Sequence, residues 1–248
     1  MTGAPARNYY HGNGSSAVKP NRPFVPLDEA LKNLGADAFY TESIAKAYGP
    51  LILVGNMKKA CMESEQSDVT ILAVGTGNGA EFESADRQNI SLSKEEVDAV
   101  TFLRKHAKKL VVVVYAGSAV DLTVFDELAD AVVLAGFGGQ NVSQAVANVL
   151  TGKVNPSGRL TETYAYSLDD IPSEHTYRDE GVMVYEEGLN VGYRHFETNG
   201  VEVLYPFGHG LSYSDFKYSD LKVEAKETHV EVEFQLENVS DVDGKEVV

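Results

Sequence analysis

Residues 68–100 read DVTILAVGTGNGAEFESADRQNISLSKEEVDAV, and the fold turns on how this stretch is parsed. Its first part, DVTILAVG, is apolar without alternation and bounded by turn residues, as expected of a strand buried on both faces. Gly75-Thr-Gly77-Asn-Gly-Ala80 follows, then Glu81, Glu83, Asp86 and Arg87. Ser93-Lys-Glu-Glu96 is a capping-box pattern that predicts a helix running to about Lys108. The glycines suggest a nucleotide cradle, whereas the acids suggest a loop that presents a carboxylate.

The cradle fails on its mechanism. The pattern G-x-G-x-x-G/A is present, but the last small residue must open a helix whose N-terminus holds the pyrophosphate. Here the next helix begins near Ser93, about a dozen residues on, beyond three acids that would repel a phosphate. Asp98, where a ribose-binding acid would be sought, falls inside a helix rather than at a strand end. What remains is a long acidic loop at a strand's carboxyl end. Such a loop is either simply solvated or carries a Glu that acts as a general acid once burial or a neighbouring carboxylate raises its pKa. The pair Asp86-Arg87 suits a charge-assisted contact that locks the loop.

Working outward, KLVVVVYAG and DAVVLAGFGG repeat the buried-strand pattern. Helices are expected at PFVPLDEALKNLG, at TVFDELA, at NVSQAVANVLTGK, and after a short apolar segment in GPLILVGNMKKACMESEQSD. Strands of this kind alternating with helices define an α/β fold, a mostly parallel sheet with helices on both faces. Its ligands gather at the carboxyl ends of the strands, here GTGNGAE, YAGSAVD and AGFGGQN. Residues 1–26 are rich in Gly, Ser, Asn and Pro and read as a loop or linker. Residues 27–217 form the α/β domain with a long irregular arm rich in Gly, Tyr and Pro after about residue 153. Residues 218–248 alternate, with Val230, Val232, Phe234 and Leu236 on one face and a third strand expected near Val248. That is too few strands for a sandwich of about seven, so a truncated β-sandwich start is expected.

The chain of 248 residues carries 21 basic and 37 acidic side chains, a net charge of −16, which disfavours nucleic acid and anionic membranes as partners and is compatible either with a neutral substrate such as a sugar or with a charge that simply keeps the protein soluble. Its one cysteine, Cys61, excludes an intrachain disulfide and a cysteine-based zinc site and reads as a packing residue. The six histidines are scattered without H-x-x-x-H spacing, and SDVDG lacks the spacing of a calcium loop, so no metal or cofactor is expected. No apolar run approaches the ~20 residues of a membrane span, and MTGAPARNYYHGNGSS has no apolar signal core, so a cytoplasmic location is expected.

Several segments in order carry a resemblance: VGTGNGAEFESADRQNISLS, LVVVVYAGSAVDL, ADAVVLAGFGGQNVSQAVANVLTGKVNPSGRLTET, VYEEGLNVGYRHFE and LYPFGHGLSYSDFKYSDLKV. The chain resembles the C-terminal half of glycoside hydrolase family 3, the β-glucosidases and β-xylosidases, and its tail is similar to the start of the fibronectin type III-like domain that follows in many members. The resemblance implies a retaining glycosidase with two carboxylates: a nucleophilic Asp in a (β/α)8 barrel domain and a general acid/base Glu in a loop motif E-G-x-D-R. Aligned on Asp86-Arg87, that motif makes Glu83 the acid/base, with Glu81 as its rival and Asp86 and Arg87 as substrate-binding or loop-orienting residues. Ser84 stands where the motif has Gly. The family's P-G-Q-x-G-G segment is kept only at Gly139 and Gln140, and a strand-to-helix turn is the simpler reading there. Nothing in the chain reads as eight βα units, and there is no Trp for the barrel's Ser-Asp-Trp motif. The expected partners are therefore a carbohydrate and a barrel domain in the same or another chain, and these residues alone are expected to be inactive. The alternative is a non-catalytic carbohydrate-binding or scaffolding module.

Overall fold

The apolar run at Val69 forms strand β1 (Thr70–Gly75), which pairs in parallel with β2 (Leu110–Tyr115), itself parallel to β3 (Ala131–Leu134), in the order β1-β2-β3. This is seen in a computed structural model, which describes residues 1–42, 49–77, 81–176, 181, 182 and 184–248. The expected α/β fold with a parallel sheet is therefore present. The unbroken apolar runs have a direct cause, since side chains of both parities are buried. Leu72, Val74, Leu110, Val112 and Val114 enter one core with α3 (Lys94–Arg104), α4 (Thr123–Leu128) and Ala60 and Cys61 of α2 (Gly49–Gln66). Ala73, Val113 and Tyr115 enter a second core on the opposite face, against α1 (Leu27–Asn33) and α5 (Val142–Leu150). Each fully buried Val or Leu contributes about 1.5–3 kcal/mol relative to an exposed one, so a strand buried on both faces gains twice over.

Two details tie the sheet to its first crossover. A Cβ at Gly75 would lie 2.1 Å from the carbonyl oxygen of Tyr115, so only glycine lets β1 and β2 stay paired at this exit. The Gly75 N–H donates to Glu96 Oε1 at 2.9 Å, while Glu96 Oε2 accepts from the N–H and hydroxyl of Ser93 at 3.0 and 2.6 Å. The capping-box carboxylate thus holds the strand exit and the helix start together. Thr76 and Gly77 are described, whereas Asn78, Gly79 and Ala80 lie outside the described residues.

Four expectations need correction. First, the apolar segment at Leu51 is not separate from the helix after it: α2 is continuous from Gly49, with Pro50 in the first turn, where its missing N–H costs nothing. Second, α3 stops at Arg104, whose Nη2 donates to the Ala107 carbonyl at 2.7 Å and closes the helix end. Third, the segment read as an N-terminal loop begins on the sheet: Thr2 bridges Leu72 in parallel, with its N–H on Ile71 O and its carbonyl on Ala73 N, both at 2.9 Å, and Ala6 is buried in the second core. A single bridge is too short to give an alternation signal. Fourth, no strand forms over residues 239–248; the segment runs along the arm, with Glu246 on Arg159 at 2.7 Å and the Val242 and Asp243 carbonyls on Ser214 and Asn155. Asp241, Asp243 and Gly244 break the pattern that Val239 begins.

The described residues of the arm include a small antiparallel pair, β4 (Tyr164–Ala165) with β5 (Val203–Tyr205), and a short helix α6 (Tyr193–Asn199) between Gly192 and Gly200. Some of the arm's aromatic residues pack within it: Phe196 is buried, Tyr193 stacks on Phe207 with centroids 4.8 Å apart, and Tyr205 stacks on His209 at 5.0 Å while bonding Asp126 of α4, whereas Tyr185 is exposed. Beyond it, β6 (Phe216–Ala225) and β7 (Val230–Asn238) form an antiparallel hairpin in which Val232 faces Val223 and Leu236 faces Tyr218.

Candidate active site

The three strand ends of the sheet open on one edge, and the loops after β1 and β2 are fastened to each other there. The Asp121 N–H donates to the Ile90 carbonyl at 2.8 Å. Arg87 Nη2 donates to Ser118 Oγ at 2.9 Å and to the Ala119 carbonyl at 2.8 Å, so the guanidinium holds the acid loop to the exit of β2. Glu81 returns the contact: its carboxylate accepts from the Gly117 N–H at 3.2 Å and the Ser118 hydroxyl at 3.4 Å, with Arg87 Nη1 3.8 Å away. Between these anchors the chain makes a tight turn, in which Ala85 N–H bonds the Phe82 carbonyl at 3.2 Å and Ser84 stands at φ 68°.

The two rival glutamates are therefore in unlike places. The Glu81 side chain is 16% exposed and fastened to β2, whereas Glu83 and Asp86 lie exposed on the outer part of the loop. The Glu83 carboxyl is held below the usual range, first by the Ser15 hydroxyl and then by the Ser15 N–H, both donating to it. Gln140 sits in a single helical turn, Gly139–Asn141, ahead of α5, and its Oε1 accepts from the Asn21 N–H at 3.0 Å, as suits the strand-to-helix reading.

Two residues of this edge escaped the sequence reading. Ser15 lies in a Gly/Ser-rich run that signals only a loop. Glu162, just after NPSGRL, is exposed at the surface of this edge; partial desolvation pushes its carboxyl up, opposed by the Ala119 N–H and Arg87, with Glu81 adding to the rise. No spacing in the sequence points to it. Among the described residues, no group of three or more His, Cys, Asp or Glu side chains could hold a metal ion, and no helix is long and apolar enough to cross a membrane.

A parallel α/β domain that carries an acidic loop at the carboxyl edge of its sheet is a frame for carbohydrate chemistry in one family of glycosidases. The family model described as glycosyl hydrolase family 3 C-terminal domain matches residues 1–213, and the chain belongs to that family. The thermostable β-glucosidase B of Acetivibrio thermocellus is 36% identical to it, over 96% of this chain and 32% of that protein. A GH3 β-glucosidase structure from Bifidobacterium adolescentis superposes with a TM-score of 0.90 at 29% identity, over 98% of this chain and 36% of that one. β-Glucosidase 3B from Thermotoga neapolitana, solved in complex with glucose, superposes with a TM-score of 0.82 at 28% identity, over 96% and 37%. The chain thus spans about a third of the length of these relatives.

Proposed function

We propose that this chain is the acid/base-bearing part of a retaining glycosidase that acts on β-linked glucosides or related sugars, with Glu83 as general acid/base and Asp86 and Arg87 orienting its loop. One observation carries the choice of residue: within a single loop Glu81 is tied to Gly117, Ser118 and Arg87, while Glu83 is exposed beyond the anchor. In the first step the Glu83 carboxyl protonates the leaving glycosidic oxygen as the nucleophile attacks the anomeric carbon. In the second, its carboxylate takes a proton from the water that releases the sugar. The nucleophile belongs to a barrel domain, in the same or another chain, that brings its carboxylate to about 5–5.5 Å from Glu83. That approach, with exclusion of water, opposes Ser15 and raises Glu83 toward the value a general acid needs.

The test is made on this chain joined to a family 3 barrel. Glu83→Ala should remove most turnover of glycosides with poor leaving groups, spare activated aryl glycosides more, and be partly rescued by azide; the loss should lie in the ~10²–10⁴ range of general acid–base catalysis. Glu81→Ala should cost less. A harmless Glu83→Ala with a damaging Glu81→Ala would reverse the assignment. The second reading, a non-catalytic carbohydrate-binding or scaffolding module, draws on the low pKa of Glu83, which suits a carboxylate more than a proton donor. Sugar binding without turnover in the joined protein would favour it.

A further inference from the structure

The N-terminal loop clasps the acid loop at two points. The backbone N–H and Nδ2 of Asn13 both donate to the Glu81 carbonyl, at 3.1 and 3.3 Å. The backbone N–H and Oγ of Ser15 both donate to Glu83 Oε2, at 2.7 and 2.5 Å. Glu83 Oε1 accepts no hydrogen bond among the described residues. Gly14, between the two donors, stands at φ +70°, and a Cβ there would meet Glu83 Cβ at 2.5 Å and Oε2 at 2.7 Å. The three residues are thus fitted to the glutamate: the backbone approaches as closely as only a glycine allows, and the next two donors meet one carboxylate oxygen.

We propose that Ser15 is a positioning residue for Glu83: by holding Oε2 with two donors it fixes the rotation of the carboxyl group, so that Oε1 is the oxygen offered to the substrate. This rests on the reading of Glu83 as the acid/base. A backbone N–H and a hydroxyl on the same oxygen restrain both the position and the tilt of the group, as a catalytic carboxyl requires to meet a glycosidic oxygen within hydrogen-bond reach. Both donors favour the charged form, so Ser15 also biases the protonation state. The charged groups nearest in the loop are turned elsewhere: Arg87 is directed at Ser118, Ala119 and Glu81, and Glu81 is directed at β2. 

The decisive measurement follows the Glu83 side-chain carboxyl by carbon-detected NMR through a pH titration of the 248-residue chain. Ser15→Ala should raise the midpoint, Ser15→Thr, which keeps the hydroxyl, should restore it, and Gly14→Ala should raise it by pushing the clasp open. An unchanged midpoint in folded Ser15→Ala overturns the proposal; should that variant not fold, Gly14→Ala and Ser15→Thr give the same reading. In the chain joined to its barrel, Ser15→Ala should lower kcat on poor leaving groups by roughly tenfold, a fraction of the ~10²–10⁴ that acid–base catalysis supplies, with KM little changed and the pH profile displaced upward. A pH profile and kcat equal to wild type overturn the positioning role even where the titration moves. A harmless Glu83→Ala instead sinks the functional reading, and the two failures are told apart by which variant is silent.

Discussion

Ser84 is in the left-handed region at φ 68°, at the tip of the turn closed by Phe82 and Ala85, in the position where the family's loop motif has glycine. A side chain there costs roughly 1–2 kcal/mol relative to glycine, while glycine loses more freedom on folding, by about 0.4–1 kcal/mol. The difference predicts that Ser84→Gly raises stability by roughly 0.5–1 kcal/mol without moving the loop. Urea unfolding of the two chains measures it; a loss of stability would mean that the serine side chain makes a contact worth more than the strain. A serine between a glutamate and an alanine gives no hint of left-handed backbone in the sequence.

At the level of elements, Asp130 ties together the start of β2, the end of α3 and the start of β3. Its Oδ2 accepts from the Leu110 N–H at 2.7 Å, at the head of β2, and from Arg104 Nη1 at 2.8 Å, at the end of α3, just before β3 begins. The hydrogen bond from the Leu110 N–H, with the hydrogen bond and charge of Arg104, holds its carboxyl below the usual range. A carboxyl depressed in the folded state contributes stability that is present above its ordinary pKa and lost as pH falls through the depressed one. Asp130→Asn should therefore lower the thermal midpoint at pH 7 and make progressively less difference as the pH is taken below the carboxylate range. Melting both proteins across that range checks it, and a difference independent of pH would assign the effect to shape instead of charge. The strands and α3 were legible because their signals are local: an unbroken apolar run and a capping box are complete within one segment. The bridge of Thr2 to Leu72 and the clasp of Ser15 on Glu83 were not, since each pairs residues far apart in sequence and becomes visible only after the chain has crossed the sheet. Helix α6 escaped for another reason, being seven residues long with Phe196 as its one buried side chain, too little to form a period. The strand expected near Val248 was drawn from alternation that Asp241, Asp243 and Gly244 interrupt.

For the whole molecule the question is whether these residues can complete a retaining reaction. Two carboxyl groups about 5–5.5 Å apart are required, one to attack the sugar and one to protonate the leaving oxygen. At the carboxyl edge of the sheet Glu83 and Asp86 are exposed on the same short loop, and Glu162 is exposed beside it. Glu81 is fastened to Gly117, Ser118 and Arg87 and is not presented to a ligand, and Glu162 stands beside the Ala119 N–H and Arg87, at the anchor of the loop and not at its outer end. Glu83 itself sits low in pKa and open to water, where it donates a proton poorly at neutral pH. The 248-residue chain alone is therefore predicted to release no nitrophenol from aryl β-glucosides above the buffer rate, and addition of a family 3 barrel domain is predicted to restore turnover. Progress curves over hours at high enzyme concentration decide the matter. Steady turnover by the lone wild-type chain that disappears in Glu83→Ala would place a nucleophile within these residues and overturn the division of the active site between two domains.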